Sequence, residues 1–167
     1  MNRQEILPNM CTAANLLLGV SAIAAMLNNN YKQSVILIVL AAVLDRVDGL
    51  LARRCNAVSS FGREFDSLAD LVSFGVAPAI LLYITALVHN RSIAGLVCFA
   101  LFTLCGAFRL ARFNVIGCSP HFLGIPITLA GALLAVLVIL IPSIPVVLAL
   151  SLLLALGMIS TIRVPKI

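Results

Sequence analysis

Long apolar runs separated by short polar turns set the pattern of this chain. The first run spans about Met10 to Leu27, after a polar head carrying Arg3 and Glu5 and a proline at position 8. A second spans about Ser34 to Arg54, a third Phe61 to Val88 and a fourth Ile93 to Phe113. A fifth runs from Ile127 to Ile141 and a sixth from Val146 to Ile162. Runs near ~20 residues match the hydrocarbon thickness of a bilayer when helical. The pattern predicts an all-α, polytopic membrane protein with six transmembrane helices. The polar turns are Asn28 to Lys32, His89 to Arg91, and a loop holding Gly117, Pro120, His121, Gly124 and Pro126. Pro142 and Pro145 bracket a tight turn, and Pro78 is expected to kink the third helix. The first run, with Thr12 and Asn15 one helical turn apart, is read as a retained span rather than a cleaved leader.

Composition agrees. Of 167 residues, 62% are hydrophobic, and the mean hydropathy is +1.17. One membrane domain over residues 1–167 is expected, with almost nothing left for a soluble one. The net charge of +5 is carried mainly by loops and span ends. Without tryptophan or an aromatic-rich basic patch, it argues for headgroup contact and no nucleic acid. The head, the turn after span two, the loop after span four and the tail, with adjoining span ends, hold nine cations. These are Arg3, Arg46, Arg53, Arg54, Arg63, Arg109, Arg112, Arg163 and Lys166, against Lys32 and Arg91 on the other side. The imbalance predicts that both termini are cytoplasmic. The five cysteines show no CxxC spacing and read as small apolar fillers.

The oily pattern is broken at Asp45 to Asp70. Asp45, Asp48, Asp66 and Asp70 are four of the chain's six acidic residues. Asp45 and Asp48 are three apart on one helix, and Asp66 and Asp70 four apart on the next, so each pair shares a face. The turn around Cys55 to Ser60 lets the pairs converge. Clustered carboxylates in a membrane protein are costly without a partner. Divalent cations relieve the repulsion, and oxygen-only ligands suit Mg²⁺ or Mn²⁺ rather than zinc. Four carboxylates suffice for two such ions, an arrangement suited to phosphoryl transfer. Gly49, Ala52 and Gly62 permit close approach of a ligand, and Arg53 can hold a phosphate oxygen. The structural alternative is ion pairing of the acids with Arg46, Arg53 or Arg54. Arg46 is about 100° round the helix from Asp45; snorkelling toward headgroups and pairing with an acid both remain open for it.

Asp48-Gly49-x-x-Ala52-Arg53, eight residues, then Gly62-x-x-x-Asp66-x-x-x-Asp70 resembles the signature of the CDP-alcohol phosphatidyltransferases. The resemblance implies six transmembrane helices and two divalent ions, Mg²⁺ or Mn²⁺, held by Asp45, Asp48, Asp66 and Asp70. It implies that Asp70 is also the general base, and that Gly49, Ala52, Arg53 and Gly62 line a CDP pocket. Further blocks, Leu7-Pro8-Asn9-x-x-Thr12-x-x-Asn15, Phe65 to Pro78, Phe108 to Asn114 and Gly124-Ile125-Pro126, are similar to the phosphatidylserine-forming branch. That branch implies CDP-diacylglycerol as donor and L-serine as acceptor, giving phosphatidylserine and CMP. Thr12 and Asn15 are placed to reach the nucleotide. Arg109 and Arg112, one face at the end of span four, can receive the serine carboxylate or a lipid phosphate, with Asn114 and the loop around His121 nearby. A homodimer in the prokaryotic plasma membrane, active at the cytoplasmic leaflet, is expected. Other acceptors (glycerol 3-phosphate, an inositol phosphate, choline), an archaeal ether-lipid donor, and a divalent-cation transporter are the competing readings. Gly19 and Gly75 read as close-packing positions, and His89 as interfacial.

Overall fold

The computed structural model describes residues 3–54, 59–116, 122–160 and 163–164; the side chains of residues 3–5, 48, 50–54, 116, 122–123 and 163–164 lie outside the description. Expectations resting on Cys55, Gly117, Cys118, Pro120, His121 and Lys166 therefore lie outside the described residues.

Six helices make up the described fold: α1 (Arg3–Leu27), α2 (Tyr31–Arg54), α3 (Ser60–Val88), α4 (Ser92–Ile116), α5 (Ile127–Leu140) and α6 (Ile144–Ile159). Residues 6–27 of α1, all of α3 and residues 92–115 of α4 are long and apolar enough to cross a membrane. The 14-residue α5 and 16-residue α6 are apolar but shorter. Fourteen helical residues rise about 21 Å, against about 30 Å of hydrocarbon. Two-residue strands, β1 (Phe122–Leu123) and β2 (Arg163–Val164), pair antiparallel and tie the approach to α5 to the segment after α6.

Several boundaries differ from the hydropathy pattern. Helix α1 begins at Arg3, not Met10, and runs through Pro8. A proline so near a helix start costs a backbone bond without dividing the helix. Helix α2 begins at Tyr31, where the Asn30 carbonyl accepts the Ser34 amide at 3.0 Å. Pro145 lies within the first turn of α6 rather than before it, a position where its missing N–H is not needed. At the other end, α6 stops at Ile159, before the expected Ile162.

The turns α1–α2 and α3–α4 use the same device. Asn29 (φ 60°) and Asn90 (φ 58°) adopt the left-handed conformation. The next amides, Asn30 and Arg91, return to Ala25 and Ala86 at 2.9 Å each. Asparagine tolerates this geometry better than other side chains, and the bonds close the helix ends.

Helix α3 contains the fold's main irregularity. It is α-helical from Ser60 to Asp70, π-helical from Leu71 to Val76, and α-helical again from Ala77. Pro78 has no amide hydrogen, and its ring crowds the carbonyl four residues back, that of Phe74. The wider π turn accommodates this, so the expected kink takes the form of a π segment. Neighbouring helices close on it through glycines. A Cβ on Gly19 of α1 would overlap the Ser73 side chain, and one on Gly131 of α5 would lie 2.7 Å from Phe74 Cα and closer still to its carbonyl. Gly19 is therefore a packing position, as expected; a Cβ on Gly75 would meet Leu71 of its own helix at 3.0 Å and Ile127 of α5 at 3.6 Å. The core continues through Phe102 of α4, Leu134 of α5 and Met158 of α6, all fully buried. Cys98 and Cys105 are buried and free, and Cys11 is half-buried and free.

Candidate active site and metal centre

The end of α3 that precedes the π segment faces the end of α2 and the start of α5. Ser59 caps α3 by accepting the Gly62 amide at 3.1 Å, which fixes where the helix starts. From that start Asp66 and Asp70 fall on the face toward α2. Asp45, Asp66 and Asp70 each bring a carboxylate oxygen within 4.8 Å of the others. Among the described residues no other trio of His, Cys, Asp or Glu converges in this way. At that spacing each pair of charges repels by about 3.5 kcal/mol at an effective dielectric of 20. The donor set is all oxygen, so it fits a hard divalent cation such as Mg²⁺ or Mn²⁺. Asp48 follows on α2, with its side chain outside the description.

Two neutral donors from other helices hold these acids. Asn15, fully buried on α1, donates from Nδ2 to Asp70 Oδ1 at 3.3 Å. The backbone carbonyl of Asn15 accepts the Ser73 hydroxyl at 3.1 Å, which ties α1 to the π segment just beyond Asp70. Thr128, on the first turn of α5, donates from Oγ1 to Asp45 Oδ2 at 3.1 Å.

The trio opens into a cavity of about 400 Å³ bounded by α2, α3, α4 and α5. Arg109 lines it and is only 8% exposed. Its Nε is buried and makes no hydrogen bond. Buried polar atoms in native proteins are almost always satisfied, so an anion in the cavity is the natural complement to this guanidinium. Arg112 does something else. Its Nη1 donates to the Ile159 carbonyl at 3.0 Å and its Nη2 to the Ser160 carbonyl at 3.4 Å. It closes the C-terminal end of α6, where carbonyls point outward and favour a cation. Asn114 lines the cavity, but its Nδ2 donates to Glu64 at 3.1 Å and meets the Ser67 hydroxyl at 3.1 Å.

The remaining sequence-based candidates are spread around this centre. Thr12 is buried on α1 and donates to the Pro8 carbonyl at 3.2 Å. Gly62 stands against Asn9, whose Oδ1 lies 3.1 Å from where a Cβ would be. Gly49 is on α2 and half-buried; the side chains of Ala52 and Arg53 lie outside the description. Arg46 and Arg63 are exposed residues at the cavity wall. Sequence reasoning passed over Thr128, Glu64 and Ser67. The available signal for Thr128 was a lone hydroxyl between Pro126 and a long apolar run.

The family model for CDP-alcohol phosphatidyltransferase matches residues 5–162. A CDP-diacylglycerol–serine O-phosphatidyltransferase of Bacillus subtilis is 42% identical over 132 residues, 78% of this chain and 74% of the relative. The protein of that name from Methanocaldococcus jannaschii is 42% identical over 156 residues, 93% of this chain and 71% of the relative. One from Helicobacter pylori is 40% identical over 143 residues, but the match spans only 60% of that longer protein. With the carboxylate trio assembled and the family model matching residues 5–162 of the 167, the chain belongs to the CDP-alcohol phosphatidyltransferase family.

Proposed function

We propose that this protein transfers the phosphatidyl group of CDP-diacylglycerol to the hydroxyl of L-serine, giving phosphatidylserine and CMP. The observation that carries the reading is the convergence of Asp45, Asp66 and Asp70 beside the buried Arg109, whose Nε lacks a hydrogen bond, in one cavity. The donor and acceptor follow from the names of the relatives.

The acids Asp45, Asp48, Asp66 and Asp70 would hold two divalent ions. Bound there, such ions neutralise the donor's diphosphate and the charge that builds up during displacement. Asp70 takes the proton of the serine hydroxyl. The serine oxygen then bonds to the phosphorus carrying diacylglycerol, and the bond from that phosphorus to the CMP oxygen breaks. Asn15 keeps Asp70 aimed during this step. Gly49, Ala52, Arg53, Gly62 and Thr12 form the CDP pocket. Arg109 receives an anion, either the serine carboxylate or the lipid phosphate, and Asn114 borders the same space. Arg112, placed with them from sequence, serves the acceptor site by fixing α6.

In this reading the chain is one membrane domain of six spans, two of them short, working as a homodimer in the plasma membrane. Nine of its eleven cations fall at one end of the spans, which supports cytoplasmic termini and a site at the cytoplasmic leaflet. A water-soluble amino acid enters there while the donor's acyl chains stay in lipid.

The test is product identification. Purified protein in mixed micelles with CDP-diacylglycerol, Mn²⁺ and radiolabelled serine is expected to form labelled phosphatidylserine and equimolar CMP. CMP release that is indifferent to serine, or dependent on another alcohol, would overturn the acceptor.

A further inference from the structure

We propose that Thr128 is a positioning residue for the cation-binding acids, acting through Asp45. The proposal rests on the metal-dependent reading above and assigns a role to a residue outside the signature.

Hydroxyls inside this protein's helices commonly turn back on their own backbone. Thr12 donates to Pro8, Ser67 to Arg63 and Thr85 to Leu81, each four residues earlier. Such back-bonding is the ordinary fate of a helical Ser or Thr. Thr128 departs from it because of where it stands. It is the second residue of α5, and the residue four before it, Gly124, precedes the helix with φ +77°. Its hydroxyl crosses instead to Asp45 Oδ2, 83 residues away in sequence, at 3.1 Å.

The start of α5 is fixed firmly enough for that bond to carry orientation. Ile127 is 1% exposed, and its Cδ1 occupies the notch left by Gly106, 2.7 Å from where a Cβ would be. The same methyl lies 3.6 Å from the corresponding point on Gly75, inside the π segment. One turn later Gly131 lies directly on the Phe74 backbone. Just before the helix, the Ile125 amide donates to Gly157 of α6 at 3.0 Å. Thr128 is thus presented from a base locked to α3, α4 and α6.

The chemistry requires such a brace. Asp45 sits on α2 facing two other carboxylates. Repulsion favours a rotamer that swings its side chain away from them. A neutral hydroxyl that donates to one oxygen opposes that swing without adding charge, and leaves the other oxygen for a cation. Outer partners of this kind typically change metal affinity by about 10–100-fold when removed.

The test compares Thr128→Val, which keeps the shape and loses the donor, with Thr128→Ser, which keeps the donor. Mn²⁺ binding to purified, detergent-solubilised full chain is followed without substrate, from the electron paramagnetic resonance signal of the free ion. Thr128→Val is expected to weaken Mn²⁺ binding by about 10-fold or more, while Thr128→Ser stays within about 3-fold of wild type. If Thr128→Val does not fold, Thr128→Ala is read in its place with the same expectation. Wild-type affinity in the donor-less variant, or equal weakening in Thr128→Ser, overturns the proposal alone. Wild-type protein that takes up no Mn²⁺ overturns the metal-dependent reading, and the proposal with it.

Discussion

The Asn15 side-chain amide reaches Asp70 across 3.3 Å, joining α1 to α3 at the centre of the acidic cluster. The nearest expectation from sequence was that Asn15 meets the nucleotide. The two roles separate kinetically. Asn15→Ala is expected to lower kcat by about 10–100-fold, as loss of a ligand's partner does, with little change in the KM for CDP-diacylglycerol. Asn15→Asp, which sets a further carboxylate against Asp70, is expected to lose more. A raised KM at unchanged kcat would return Asn15 to the CDP pocket.

Asp70→Asn removes both a cation ligand and the proposed base. Turnover is expected to fall by at least about 10²–10⁴, the range a general base contributes. The variant is expected to insert and purify as wild type does, because neutralising one of the clustered acids relieves repulsion. Near-normal product formation by this variant would refute the assignment.

Removing the ions tests the whole cluster. EDTA is expected to abolish phosphatidylserine formation, and added Mg²⁺ or Mn²⁺ to restore it. Zn²⁺ is expected to restore poorly, since the converging side chains among the described residues offer oxygen and neither His nor Cys. Radiolabel incorporation across a cation series checks this.

Arg109 and Arg112 share a helix and differ in what they touch. Arg109→Ala is expected to raise the KM for serine or donor by about 10-fold or more, as loss of a charged hydrogen bond worth about 1.5–3 kcal/mol does. Arg112→Ala is expected to act first on thermal stability, since its bonds go to the Ile159 and Ser160 carbonyls. Steady-state kinetics and thermal unfolding in the same detergent separate the two.

Gly131→Ala adds one methyl against the Phe74 backbone, which has no rotamer to yield. A loss of about 1–3 kcal/mol is expected, the usual cost of overpacking, with activity falling as the α5–α3 contact opens. Thermal unfolding beside activity checks it.

The sequence carries much of the acidic centre because helical period puts Asp66 and Asp70 on one face, at the adjoining end of the helix that follows Asp45. The far-side turns were legible for a similar reason: runs such as Asn28-Asn29-Asn30 cannot continue an apolar helix and suit left-handed backbone. Other features depend on contacts between distant residues. Thr128 meets Asp45 across 83 positions, and no local pattern marks the pair. Arg109 and Arg112 sit on one face by spacing, yet the end of α6 claims only the second. The α6 boundary moved because the pairing of Arg163 and Val164 with Leu123 and Phe122 takes over beyond the helix end. Pro78 signalled an irregularity, but not that it would appear as a π segment upstream.

That segment sets an angular phase. Between Asp70 and Ala77 the helix carries i→i+5 bonds instead of i→i+4. The half of α3 bearing Asp66 and Asp70 is therefore rotated relative to the half packed through Phe74 and Leu81. Rewinding the same residues as regular α-helix would shift the two halves by about 100° and 1.5 Å. Every carboxylate would survive in the chain, yet those on α3 would no longer point at Asp45. The site is thus encoded by its ligands and equally by a surplus residue in the helix that carries two of them.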